Sequence, residues 1–359
     1  MKITRSILNC AIAFTLIVTT ILDRAHARFW CCSSDQENLE EVLDPECNSG
    51  EYPSLDKVIH EVQNILSLEN CEKNEDEQAV SLLRVFLETY RIQESIWLLN
   101  RLGEDKLGNK LELSLKHLLL CTPISSKEPL GGGATKTWLL GFNHVSSPDL
   151  QIQAVYKPQQ ANMSSHVGSE VATYLVDRLL KTDVVPLTIS RKVNGKKSGS
   201  LQYFIKDAKK ISDPTLPDRK KHKSAQMYLL DYLTKNIDRG DFYSRKKIKF
   251  EYNYLYLPSL DQPIAIDNSW ALRDNFLPAK LKGYWVDKRH SFEKKYAFPE
   301  DQVPTLSFYT RLKNLSAKTL HDNLDGTISK VAVDKILKRK DKVLRAFEES
   351  YSCHCHAGA

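Results

Sequence analysis

The chain has 359 residues, of which 42% are hydrophobic and 27% charged, with a formal net charge of +6. That apolar content can build a sizeable core and excludes a disordered scaffold, and the lack of an internal repeat excludes a solenoid. The basic clusters Arg219-Lys220-Lys221, Arg245-Lys246-Lys247 and Lys338-Arg339-Lys340 lack interleaved aromatics and any nucleic-acid-binding module, so nucleic acid is excluded and an anionic membrane surface or an acidic substrate is left.

At the start, Lys2 and Arg5 precede an apolar run from Ile7 to Leu22, and Ala25-His26-Ala27 supplies small residues around a cleavage point. This is the layout of a signal peptide over 1–27, with export through the secretory pathway; an uncleaved N-terminal membrane anchor is the alternative. Beyond Cys10 in that segment, seven cysteines remain, and export makes disulfides permissible. Adjacent Cys31 and Cys32 could instead carry acyl chains if the segment stays at a membrane. A polar, acidic, loosely ordered segment is expected over 28–53.

Helical periodicity begins at Leu55, with Ser54 as N-cap and a stripe of Val58, Ile59, Val62, Ile65 and Leu66. Leu83, Phe86, Leu87 and Tyr90 start a second stripe that extends through Ile96, Trp97 and Leu99. Leu111, Leu115, Leu118 and Leu119 make a third. Three amphipathic helices, a small module over 54–122, are expected, with no chemistry of their own.

Gly131, Gly132 and Gly133 come next, followed by two strands, Thr137–Phe142 and Leu150–Lys157, joined by a turn at 143–149. A glycine triplet is either a linker or a place where backbone amides approach a phosphate, and its position before a hairpin that ends in a lysine favours phosphate. Ser169-Glu170 opens an amphipathic helix with Val171, Tyr174, Leu175 and Leu179 on one face, and Asp177 on it reads as structural. Val184–Ile189 reads as a strand. Asn194-Gly195 is a hairpin turn that returns through Ser200–Ile205, and Lys206–Lys223 as a polar connection.

The helix YLLDYLTKNIDRG (228–240), capped by Ser224, ends at Gly240, and the apolar strand of IAIDNSWAL (264–272) follows. One acid just beyond a helix and another just beyond a strand suit phosphoryl transfer, in which one carboxylate orients the attacking hydroxyl and the other holds a metal on the phosphates. Asp238 and Asp267 are the candidates.

These last segments resemble the catalytic and metal-binding segments of type II phosphatidylinositol 4-kinases. GSLQYFIKDA (199–208) is similar to that family's hinge, AVYKP (154–158) to its nucleotide-lysine strand, and YAFPEDQVP (296–304) to a segment after its metal site. The resemblance covers about the last two thirds of the chain, in family order. It implies ATP and Mg2+ as cofactors, with Lys157 on the phosphates and Glu170 as the carboxylate that holds it. It also implies adenine contacts at a hinge that includes Gln202, Phe204 and Ile205, and a phosphoinositide as acceptor. The aromatic, basic stretch Phe276, Tyr284, Trp285, Phe292, Tyr296 and Phe298 would meet the membrane or belong to the core.

Two departures stand out. Tyr243 occupies the place of the family's second magnesium ligand, so Asp241 is the candidate replacement, or else it caps a turn. Ser269-Trp270 stands where the family has glycine and an apolar residue. A second resemblance, to secretory-pathway kinases of the Golgi, rests on the helix EVATYLVDRLL (170–180), the pair Asp238-Arg239 and the Asp267-Asn268 segment; it implies a protein substrate and a catalytic Asp-Arg pair. A catalytically weak pseudokinase is the third reading. The expected fold is α+β, a bilobal protein-kinase-like arrangement with a β-rich N-lobe and hinge over 123–205 and a helical C-lobe over 206–350, preceded by the helical module and followed by a Cys/His tail over 351–359.

Overall fold

The computed structural model describes residues 54–68, 74–131, 136–144, 147–160, 166–193, 198–216, 225–236, 239, 253–272 and 306–356. Expectations for the signal segment, Gly132 and Gly133, the Asn194-Gly195 turn, Ser224, Asp238, Gly240, Asp241, Tyr243 and the stretch 273–305 lie outside these residues. So does the segment Tyr296–Pro304.

Helix α1 (Leu55–Leu68) starts where Ser54 Oγ accepts from the Lys57 N–H at 3.3 Å, and its apolar stripe is buried. The second expected stripe is two helices, α2 (Asn74–Glu88) and α3 (Ile92–Arg101), so the segment holds four helices rather than three. Tyr90 sits at φ +52, a left-handed residue that cannot continue a helix, and the Arg91 N–H folds back onto Phe86 O at 2.8 Å. Both helices bury Phe86, Leu87, Ile92, Ile96 and Trp97 in one core, so the apolar pattern runs straight through the break. Helix α4 (Asp105–Cys121) completes the set.

The large sheet is antiparallel, in the order β1-β2-β3-β5-β4. β2 (Thr137–His144) and β3 (Ser147–Pro158) form the expected hairpin. β1 (Ile124–Leu130) pairs with β2 and was not expected. Its sequence ISSKEPL buries only Ile124, and a polar edge strand containing a proline shows no alternation to read. β4 (Thr188–Lys192) begins four residues later than Val184–Ile189 suggested. Upstream, Pro186 has no donor, Leu187 N–H donates to Gln93 Oε1 at 2.7 Å, and Val184 O accepts from Ala265 N at 2.7 Å, so this stretch pairs outside the ladder. β5 (Ser198–Tyr203) lies between β3 and β4.

Helix α5 (Val167–Leu180) follows β3. His166 caps it, Nδ1 accepting from the Ser169 N–H at 3.0 Å. A Cβ on Gly168 would meet Thr327 O at 2.3 Å, so only glycine fits there. At the other end of α5, the buried Asp177 Oδ1 accepts from the Thr182 hydroxyl and from the Val184 N–H at 3.1 Å. Burial, aided by nearby Asp183, pushes the Asp177 carboxyl up to about 7 against the pull of those donors and Arg178. The folded protein therefore binds a proton that the unfolded chain releases, and its stability falls as pH rises from about 4 to about 7. Asp177→Asn is expected to flatten that slope; urea midpoints across this range that keep the wild-type slope in the variant would refute it.

The chain then crosses to a small antiparallel sheet, β6-β7-β8 (Lys209–Lys210, Tyr254–Leu257, Gln262–Ala265), whose first strand lies in the segment expected as a plain connection. Helix α6 (Ala225–Thr234) precedes β7, and α7 (Leu306–Asn314), α8 (Ala317–Leu324) and α9 (Lys330–His356) close the chain. α9 takes in Cys353-His354-Cys355-His356 of the Cys/His tail. The fold is mixed α+β, and one continuous apolar core runs from Leu55 in α1 to Phe347 in α9. Among the described residues no helix is long and apolar enough to cross a membrane.

Candidate active site

Three sequence candidates meet at one point. Lys157, in the last turn of the pleat of β3, reaches from the sheet to Glu170 near the start of α5, Nζ to Oε1 at 3.0 Å, and to Asp267 just beyond β8, Nζ to Oδ1 at 2.8 Å. Thirteen residues separate the first pair and 110 the second in sequence, so the contact needs both sheets and the helix in place. Burial, the largest influence, works against a charged Lys157; Glu170 and then Asp267 more than offset it and hold the ammonium above the ordinary lysine range. Burial likewise opposes ionisation of Asp267, but Lys157, the Ser269 hydroxyl and Arg239 bring its carboxyl below the usual range.

Glu170 is fixed from both sides. Its Oε2 accepts from the Asn268 N–H at 2.8 Å, and its Oε1 accepts from the Ser269 hydroxyl at 2.8 Å. The same hydroxyl lies 3.1 Å from Asp267 Oδ1. The neighbouring Ser169 hydroxyl donates to Ala271 O, a second tie between α5 and the segment after β8. Asp267 itself takes φ +53, uncommon for a non-glycine residue and sustained by these contacts. With Oδ1 occupied, Oδ2 has no hydrogen-bond partner among the described residues, and the side chain is 36% exposed.

Arg239 has a different place from the one expected of a residue that touches substrate. Its guanidinium is fully buried. Nε binds both oxygens of Asp231 on α6, at 2.9 and 3.1 Å; one terminal nitrogen donates to Asn253 O and to Ile266 O at 2.9 Å, and the other to Asn268 Oδ1. Asn236 Nδ2 joins the same Asn268 oxygen at 3.2 Å. Arg239 therefore grips the residues on both sides of Asp267 and ties them to the end of α6. This geometry makes it a positioning residue.

The remaining candidates are spread out. Gln202 Nε2 donates to Thr188 Oγ1 at 2.9 Å, a link between β5 and β4. In the hinge, the Phe204 N–H donates to Gln153 O at 2.9 Å and Ile205 O accepts from the Ala208 N–H at 3.3 Å, so these two main-chain atoms serve the protein's own structure. Gly131 follows the last residue of β1, and a Cβ there would meet nothing within 4 Å. The sequence reading missed Asp231, Asn236, Asn268 and Ser269 as members of the site. Asn268 left a trace within the Asp267-Asn268 segment, and Ser269 as a polar residue where a glycine was expected.

The residues present fit a nucleotide with its magnesium. Lys157 is a fixed cation for phosphate oxygens, and Asp267 offers one carboxylate oxygen. Magnesium is an ion bound through one or two carboxylates plus phosphates and water; among the described residues no group of three or more His, Cys, Asp or Glu could hold a metal ion.

No protein-family model matches the chain, and no curated protein matches it. Among solved structures it is similar to a Golgi casein kinase, at 15% identity and a TM-score of 0.46, covering 68% of this chain and 76% of that one. It is also similar to the Helicobacter pylori proinflammatory kinase CtkA, at 14% identity and a TM-score of 0.37, covering 63% of this chain and 96% of that one. The resemblance to type II phosphatidylinositol 4-kinases thus stands on its sequence segments alone.

Proposed function

We propose that this chain is an ATP-dependent phosphotransferase. One observation carries the reading: a buried lysine on a sheet strand, held by a helix glutamate and by the aspartate that follows a strand of a second sheet, the set that phosphoryl transfer requires. Lys157 would hold phosphate oxygens of the nucleotide, and Glu170 would keep its Nζ from swinging away. Asp267 Oδ2 would carry the magnesium, which when bound neutralises charge on the phosphates. Asp238, the neighbour of the anchored Arg239, would orient the acceptor hydroxyl, and Asp241 would supply a further metal ligand. Gly131 to Gly133 would cover the phosphates.

A protein hydroxyl is the favoured acceptor. Cys121 at the end of α4 is disulfide-bonded, which belongs to an oxidising compartment and suits a protein kinase of the secretory pathway. That agrees with the export expected from residues 1–27. Of the features that pointed to a phosphoinositide, the segment 199–208 is described, whereas 296–304 and the aromatic, basic stretch 276–298 lie outside the described residues.

The test is to incubate the mature protein with labelled ATP and magnesium beside casein in one arm and phosphatidylinositol vesicles in the other. Label on casein alone is the expected result. Label on vesicles alone would make the lipid the acceptor, and no transfer or ATP binding in either arm would refute the phosphotransferase.

A further inference from the structure

The helical segment before the large sheet has no chemistry of its own, yet one face of it lies along α5, the helix that presents Glu170. On α4, Asp105, Asn109 and Glu112 recur at spacings of four and three and so share a face. On α5, Tyr174 and Arg178 are four apart, and Lys181 caps the C-terminus of the helix. The two faces meet rung by rung in opposite directions. The Tyr174 hydroxyl donates to Glu112 Oε1, and Arg178 Nε lies 2.6 Å from Glu112 Oε2. Arg178 also donates to Asn109 Oδ1 at 2.7 Å, and Lys181 pairs with Asp105. Arg178 and Glu112 are each less than one-fifth exposed, so this pair is shielded from the screening that weakens surface pairs.

The same helices also grip what surrounds α5. Asn100 of α3 donates to Asp183 Oδ1 at 3.0 Å, and Arg191 of β4 reaches the carbonyls of Leu119 and Thr122 at the end of α4. A helix that carries the lysine's carboxylate controls phosphoryl transfer by its position. The Glu170 end of α5 is tied to the segment after β8 through Ala271, Asn268 and Ser269, and the α4 face holds the other end.

We propose that α4 is a built-in clamp on α5, with Glu112 as the positioning residue that keeps Glu170 against Lys157. The idea rests on the phosphotransferase reading for its purpose but not for its geometry. Glu112 touches neither nucleotide nor acceptor; it acts through Arg178 and Tyr174. The segment is thus an internal activator, and the Lys157–Glu170 pair is formed without a separate partner.

The experiment uses the full mature chain and four proteins: wild type, Glu112→Ala, Glu112→Gln, and Lys110→Ala as a control. Lys110 pairs with Glu61 of α1 and so loosens α4 without touching α5. Two quantities are read beside the melting temperature. The first, which needs no nucleotide, is the rate at which an amine-acylating reagent modifies Lys157, followed by peptide mass spectrometry. The second is the dissociation constant for ATP. Coupling of the usual size corresponds to a change of about fivefold or more. Glu112→Ala should therefore label Lys157 about fivefold faster and bind ATP about fivefold more weakly, with Glu112→Gln in between because it keeps the Tyr174 hydrogen bond, and Lys110→Ala unchanged in both. A lower melting temperature with Lys157 labelling unchanged in Glu112→Ala, or an equal rise in Lys110→Ala, would overturn the clamp. Wild type that binds no ATP would sink the phosphotransferase reading, while the labelling rates would still decide the clamp.

Discussion

Asp267→Asn is expected to slow phosphoryl transfer by at least about a hundredfold, the loss typical when a group that stabilises developing charge is removed, while the protein keeps its fold. The two halves of this expectation come from the two oxygens of one carboxylate. Oδ1 receives Lys157 and Ser269, and the carbonyl oxygen of asparagine can take both hydrogen bonds. Oδ2 becomes an amide nitrogen, which offers a magnesium ion hydrogens instead of a lone pair. No buried charge is orphaned, because Lys157 keeps Glu170 and the side chain at 267 is 36% exposed. Turnover at saturating ATP and magnesium, measured beside the melting temperature, checks both halves. A folded variant with near-normal turnover would mean that Asp267 holds no metal that matters.

The largest stability effect belongs to Arg239. Arg239→Ala strips the buried Asp231 of its Arg239 counter-ion and removes one donor each from the carbonyls of Asn253 and Ile266 and from the amide oxygen of Asn268. Breaking one side of a buried pair costs about 3–5 kcal/mol, because the remaining charge stays in a low-dielectric interior. Arg239→Lys should recover little, since one ammonium cannot span Asp231 on one side and the residues flanking Asp267 on the other. Arg239→Met combined with Asp231→Leu should recover more stability than either substitution alone, because neither charge is then left unpaired. Denaturant titrations of wild type, Arg239→Ala, Arg239→Lys, Arg239→Met, Asp231→Leu and the double substitution measure this directly. A loss below about 1 kcal/mol in Arg239→Ala, the range of an exposed pair, would show that the network does not hold the site.

The two substitutions separate two kinds of residue in one site. Asp267 is 36% exposed, and its loss is expected to remove chemistry; Arg239 is buried, and its loss is expected to remove the geometry around Asp267. Ser269 sits between these cases. Where a glycine was expected, its hydroxyl touches both carboxylates around Lys157, so it lends the site a hydrogen bond that a glycine could not.

By itself the sequence determined what depends on near neighbours. The capped stripe from Ser54 to Leu66, the β2–β3 hairpin that ends in Lys157 and the helix that opens near Glu170 follow from capping and from periods of 3.6 and 2. Lys157 and Glu170 were legible as candidates through the resemblance, and Asp267 also as an acid just beyond an apolar strand. What the tertiary structure decided is what depends on partners far along the chain. The break at Tyr90 is invisible to periodicity because both helices face one core. β1 and β6 are short polar strands that exist because a neighbour supplies their hydrogen bonds. Asp231 and Arg239 lie eight residues apart, a spacing with no meaning on a helix, and they meet only because the chain leaves α6 and turns back on it. The face Asp105, Asn109 and Glu112 reads as solvated charge until α5 is laid against it. A local pattern records which face a segment buries, whereas the identity of what it is buried against is a property of the folded chain.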